Sequence, residues 1–216
     1  MCERRWALQR LAAIMAAGFG VGMVYFGMPL SVGTLGSNLY LSLAYNALAE
    51  LPSNVLLWLL IARTNRRSTV VGFSVTASAC SLACVAIPRR AAAARMAAEL
   101  SSFFATCTAY NVVLIYAIEL FPTSVRSSAV GLVRQAMVLG GVAAPVLVAL
   151  GRDQSSGLWS FGVFGLAIGC SGLVAACLPE TRGRAMSDTM EEEGERHEAD
   201  AAASCTKHKN SDRDLV

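Results

Sequence analysis

The sequence has 216 residues, 55% of them apolar and 15% charged, with a formal net charge of +3 at pH 7. A soluble globular domain is nearer a quarter charged, so this composition argues against a soluble enzyme. Residues 1–179 hold twelve arginines and five acids (+7), whereas residues 180–216 hold six basic and ten acidic residues (−4). An apolar body whose only basic side chains are arginines, followed by a mixed acidic tail, predicts membrane segments and then a solvated terminus.

About twenty apolar residues cross a bilayer as helix, because each rises about 1.5 Å through about 30 Å of hydrocarbon. Six segments reach that length. Arg4, Arg5 and Arg10 precede the first, residues 11–35, which is uncharged. It is too long for the apolar core of a cleavable signal and reads as a spanning helix. The second, 39–62, is interrupted only by Glu50, and the third is 68–87. The fourth, about 97–118, has Glu99 at its edge; the fifth, 127–150, contains Arg134; the sixth is 157–178. Glycine is dense in the first, fifth and sixth, which in lipid lets helix backbones approach closely. Pro29, Pro52 and Pro145 fall in or near spans and are expected to kink them.

The expected organisation is a cytoplasmic segment over 1–10, a six-helix transmembrane bundle over 11–179, and a charged, disordered cytoplasmic tail over 180–216. Placing the N-terminus inside leaves nine arginines on the cytoplasmic side and four opposite, which favours both termini inside. The cluster Arg89, Arg90 and Arg95 is the contrary signal. The tail, with Glu191–Glu193 and its alanine repeats, has too little apolar surface to fold alone.

Seven cysteines are present, four of them inside apolar runs and none in a CxxC pair, so they read as packing residues rather than disulfides or metal ligands. Both histidines, His197 and His208, lie in the tail, which removes HExxH zinc chemistry and Ser–His catalysis from the apolar region. No phosphate-binding glycine loop is present. The sequence thus predicts no catalytic residues, no metal, no cofactor and no nucleic-acid partner.

Asn38, Ser42, Asn46, Glu50 and Asn54 recur every fourth residue and so lay a sloping polar stripe along one side of the second span. An ionised Glu50 at mid-span is expensive, so it should face the bundle interior, find a partner or be neutral. Two readings compete for Glu50 and Asn46: a substrate or proton site lining a wet cavity, or interhelical hydrogen bonds that fix packing. Tyr25, Tyr110, Asn111 and Tyr116 have the same two readings. As cavity residues, the tyrosines would offer aromatic faces to a quaternary ammonium.

Three segments in order carry a family resemblance: Arg63-Thr64-Asn65-Arg66-Arg67, Glu119-Leu120-Phe121-Pro122-Thr123-Ser124-Val125-Arg126, and Leu178-Pro179-Glu180-Thr181-Arg182-Gly183-Arg184. Together they resemble the major facilitator superfamily. The stretches from Asn38 to Leu41 and from Asn46 to Pro52, and the continuation to Asp188-Thr189-Met190, are similar to its organic cation/carnitine transporter family, plant members above all. The resemblance covers about residues 11–190 and matches helices seven to twelve of a twelve-helix fold. It implies an all-α membrane protein whose six transmembrane helices form one half of a major-facilitator fold.

Two positions depart from the pattern. The family's basic loop usually begins with Asp, here Ala62; animal members place a charge just before a glycine pair, here Gly140-Gly141, and the corresponding residue is Val138. Substrate charge is therefore not carried over. Arg134, one turn from Val138, either supplies the cation that carnitine carriers place there, gripping a carboxylate bidentately, or snorkels toward the interface. By resemblance, Arg63, Arg66, Arg67, Glu119, Arg126, Glu180 and Arg182 form a gating charge network at the cytoplasmic helix ends.

The function this implies is secondary active or facilitative transport of small organic solutes such as organic cations or carnitine, with H+ or Na+ as coupling ion. Transport in the superfamily rocks one six-helix bundle against the other around a midplane site. A C-terminal half should therefore be inactive alone and require an N-terminal half or a second copy, in the plasma or vacuolar membrane. The alternative is a truncated, non-transporting membrane protein that associates with a full-length carrier. An intramembrane enzyme has no supporting residues.

Overall fold

The computed structural model describes residues 5–31, 39–61, 64–88, 90–152 and 159–178. These form six helices: α1 (Arg5–Ser31), α2 (Leu39–Ile61), α3 (Arg66–Ala86), α4 (Ala92–Leu120), α5 (Thr123–Arg152) and α6 (Trp159–Ala176). Among the described residues there is no strand. The expectations for residues 1–4, Asn38, Ala62, Arg63, Arg89 and the tail from residue 179 lie outside the described residues.

Each expected span corresponds to one helix, but the ends differ. The fourth helix opens at Ala92 rather than near residue 97, because Ala92, Ala93 and Ala94 are strong helix formers and extend it toward its N-terminus. That extension carries Glu99 from the edge to the interior of the element. Pro29, Pro52 and Pro145 all lie inside helices. Among the described residues, five helices, α1 and α3 to α6, are long and apolar enough to cross a membrane.

The helices pack unevenly. α1 lies against α5, α6 and α4, while α3 lies against α4 and α6. α2 rests mainly on α4 and barely touches α1. The core is built around Val21, Val24, Met28, Tyr116, Met137, Phe161, Phe164 and Ile168, all fully buried.

Lipid supplies no hydrophobic force between helices, so close packing and polar contacts must hold them. The crossing of α1 and α5 is glycine-made. A Cβ at Gly22 would fall on the Met137 backbone, and one at Gly140 on the carbonyl of Phe19. The α3–α6 contact uses hydroxyls instead. Ser78 Oγ donates to the Gly165 carbonyl and Ser81 Oγ to the Phe161 carbonyl, each at 2.7 Å.

The turn between α3 and α4 explains part of the contrary arginine cluster. Arg95 is buried, and its Nε and Nη2 donate to the Ile87 carbonyl at 2.9 and 2.8 Å. This guanidinium closes the C-terminal end of α3 rather than standing as a free surface charge. Among the described residues Cys80, Cys84, Cys107, Cys170 and Cys177 are free thiols, with Cys84 and Cys107 packed in the core.

Candidate functional site

A cleft of about 770 Å³ opens between α1, α2 and α5, with Phe103 of α4 at its floor. Tyr25, Phe26 and Pro29 line it from α1, Asn46 and Glu50 from α2, and Val138 and Gly141 from α5. Its walls are mostly apolar and aromatic, and Glu50 is the one charged residue among them. A proline has no N–H to donate to the carbonyl four residues back, so Pro29 and Pro145 leave the carbonyls of Tyr25 and Gly141, both cleft residues, without that helical bond.

The polar stripe on α2 becomes three rungs. Asn46 Nδ2 donates to Glu99 Oε1 of α4 at 3.0 Å. One turn on, Tyr25 of α1 donates its hydroxyl to Glu50 Oε1 at 2.8 Å. One further turn on, Asn111 Nδ2 of α4 donates to Asn54 Oδ1 at 3.1 Å and also reaches its own helix at the Cys107 carbonyl. The every-fourth-residue spacing puts all three on the side of α2 that faces its neighbours. Two calls on this stripe, Asn38 and the side chain of Ser42, lie outside the described residues.

Tyr25 is also the hub of an aromatic group. Its ring stacks on Tyr110 with centroids 4.4 Å apart and on Phe103 at 5.9 Å, and it meets the Phe26 ring edge-on at 5.0 Å. Tyr110 therefore stands behind Tyr25 and is not itself a cleft wall. Asn111 serves the lower rung, and Tyr116 is buried in the core.

Arg134 is exposed on α5 and does not line the cleft, whereas Val138 one turn on does. The cleft thus contains no guanidinium from α5.

The opposite end of the bundle carries the second expected constellation in part. Arg66 at the start of α3 grips Glu119 at the end of α4. Its Nε lies 3.0 and 3.1 Å from the two carboxylate oxygens, and its Nη2 lies 3.0 Å from Oε1. Both side chains are largely buried, at 15% and 20% exposure. Arg126 Nε reaches the Phe121 carbonyl at 3.4 Å, and Arg67 is exposed. Arg63, Glu180 and Arg182 lie outside the described residues, so the network is described only through Arg66, Glu119, Arg126 and Arg67.

Glu99 is the residue that sequence reasoning passed over. It is 1% exposed and partnered by Asn46, itself 2% exposed. Its signal was available: a carboxylate within two turns of a run of alanines, inside what helix propensity makes one long element.

Residues 31–192 match the family model described as sugar (and other) transporter. The chain is 49% identical to organic cation/carnitine transporter 2 of Arabidopsis thaliana over 197 residues, 89% of this chain. It is 46% identical to organic cation/carnitine transporter 3 of the same plant, again over 89% of this chain. Solute carrier family 22 member 12 of Homo sapiens is 32% identical over 81% of this chain. The chain spans 37% of the length of each of the two plant relatives.

Proposed function

Because this chain belongs to the sugar (and other) transporter family of the major facilitator superfamily, we propose that its cleft is one wall of a translocation path for a small organic cation or carnitine. The chain is an integral membrane protein, with five helices fit to cross a bilayer and transporters as its relatives. The observation that carries the proposal is Glu50, the single charge in an aromatic cleft, presented to the opening and held by Tyr25.

That arrangement suits a quaternary or protonated ammonium. The carboxylate supplies the counter-charge, and the faces of Phe26, Phe103 and Tyr25 supply cation–π attraction. Binding carnitine here would use its ammonium end, since Arg134 stands outside the cleft to receive a carboxylate. The names of the plant relatives, organic cation/carnitine transporters, support the same solute class.

The path needs a second wall. Leu48, Leu51, Val55 and Trp58 of α2 and Leu139, Val142 and Val146 of α5 leave large apolar side chains exposed on the two helices that wall the cleft, and Val142 itself lines it. An N-terminal six-helix half or a second copy fits that face, by the rocking of paired bundles used in this superfamily. The Arg66–Glu119 clamp would then hold one conformation at the far end and release in the other. H+ or Na+ coupling, and residence in the plasma or vacuolar membrane, belong to the same proposal.

The direct test is binding of radiolabelled tetraethylammonium to the chain in nanodiscs. Saturable binding that Glu50→Gln weakens supports the cleft. Equal binding by wild type and Glu50→Gln removes Glu50 from the site.

A further inference from the structure

Behind the cleft wall lies a carboxylate that substrate recognition does not use. Glu99 does not line the cleft, and its connection to it runs through Asn46, which does. The pair is buried almost completely, at 1% and 2% exposure. Asn46 spends its amide nitrogen on Glu99 Oε1, while its Oδ1 is buried with no hydrogen-bond partner among the described residues. An unpaired acceptor in such a place is costly, about 1–3 kcal/mol, so its persistence asks for a donor that arrives and leaves.

Among the described residues no ion pair to Glu99 is seen. Arg95, one turn before it on α4, commits Nε and Nη2 to the Ile87 carbonyl. The other titratable groups around the pair are Cys84 on α3, whose Sγ faces the Arg95 carbonyl, Cys107 on α4, Glu50 on α2 and Tyr25 on α1. Arg126 and Arg134 lie in the first half of α5, and the side chain of Arg152 at its C-terminal end lies outside the described residues.

We propose that Glu99 and Asn46 form a proton-binding site for coupled transport, exchanging its proton with the cleft that Asn46 lines. The proton adds to the Glu99 carboxylate to give the carboxylic acid, and its O–H donates to Asn46 Oδ1. The amide nitrogen keeps its bond to the other carboxyl oxygen, so the acid–amide pair is closed by two hydrogen bonds. Loss of the proton to the cleft restores the carboxylate and leaves Oδ1 without a donor. One of the three polar rungs joining α2 to its neighbours thus strengthens and weakens with proton occupancy. α2 rests mainly on α4, so proton occupancy sets how firmly one cleft wall is held.

This inference rests on the cleft being part of a transport path, but its test does not require transport. Infrared difference spectra of the whole chain in nanodiscs, recorded during pH titration, report the C=O stretch of a protonated carboxyl. A titrating band is expected in wild type, lost in the isosteric Glu99→Gln and retained in Glu50→Gln. Asn46→Leu is expected to shift the band to higher frequency, as a carboxylic acid does on losing a hydrogen-bond acceptor. Circular dichroism of each variant confirms that the helices are retained. The proposal is overturned if no band titrates, if Glu99→Gln leaves the titrating spectrum unchanged, or if the Glu99 band responds to added Na+ and not to pH. A chain that shows the Glu99 band yet fails to bind tetraethylammonium would separate the two readings, leaving the proton site standing and the cation cleft refuted.

Discussion

The Tyr25 hydroxyl donates to Glu50 Oε1 at 2.8 Å, tying α1 to α2 across a cleft the two helices otherwise barely bridge. The bond fixes the carboxylate while leaving the Tyr25 ring stacked on Tyr110. It therefore separates two roles that substitution can distinguish, the charge at Glu50 and the aromatic face at Tyr25.

Glu50→Gln keeps the shape and removes the charge. It is expected to weaken tetraethylammonium binding at least tenfold, about 1.4 kcal/mol. Tyr25→Phe keeps the ring and loses the donor, so its effect should be smaller than that of Tyr25→Leu, which loses both. Dissociation constants in nanodiscs rank the three variants. A Tyr25→Phe loss as large as that of Tyr25→Leu would mean the ring face contributes nothing.

Vesicles containing only this chain are expected to show negligible uptake of labelled carnitine or tetraethylammonium, because the cleft forms only one wall of the proposed path. Saturable uptake by the chain alone would refute the need for a second bundle. With a matching N-terminal bundle supplied, Glu50→Gln is expected to abolish uptake or change its dependence on pH, and identical pH profiles for the two forms would remove Glu50 from the path.

At the other end, the Arg66–Glu119 clamp is bidentate and largely buried. Arg66→Ala is expected to cost about 1.5–3 kcal/mol, the range for hydrogen bonds to charged groups. The reversed pair, Arg66→Glu with Glu119→Arg, should recover part of the loss. Thermal unfolding in detergent measures both. Equal melting of wild type and Arg66→Ala would show the clamp to be energetically idle.

Two glycines on one helix should respond oppositely. Gly140→Val drives a branched side chain into the Phe19 backbone and is expected to destabilise by about 1–3 kcal/mol or more. Gly131→Ala meets nothing within 4 Å and replaces the poorer helix former, so it should be neutral or stabilising by up to about 1 kcal/mol. Loss of stability on Gly131→Ala would place an unrecognised partner against that face.

Much of this architecture was legible in the residues. Apolar runs of bilayer length marked the helices, and the stripe from Asn46 to Asn54 marked the side of α2 that is tied down. What spacing cannot say is which neighbour receives each polar group. Period-four recurrence places Asn46, Glu50 and Asn54 on one face, but only the packing of α1 and α4 decides that Glu50 meets Tyr25 and Asn46 meets Glu99. Glu99 was misplaced for a local reason, since the alanines before it carry no hydropathy contrast to mark where the helix starts. Arg134 kept two readings for a geometric reason: it shares a helix face with Val138, and only the packing shows that Val138 lines the cleft while Arg134, one turn short of it, is exposed.

Gly22 and Gly140 let α1 and α5 touch backbone to backbone, whereas α2 is fastened by separate side-chain bonds. Rigid and compliant parts of the chamber are therefore assigned in advance. Two sides behave as a single beam, so the give within this bundle lies with the third side, hinged on its polar fastenings.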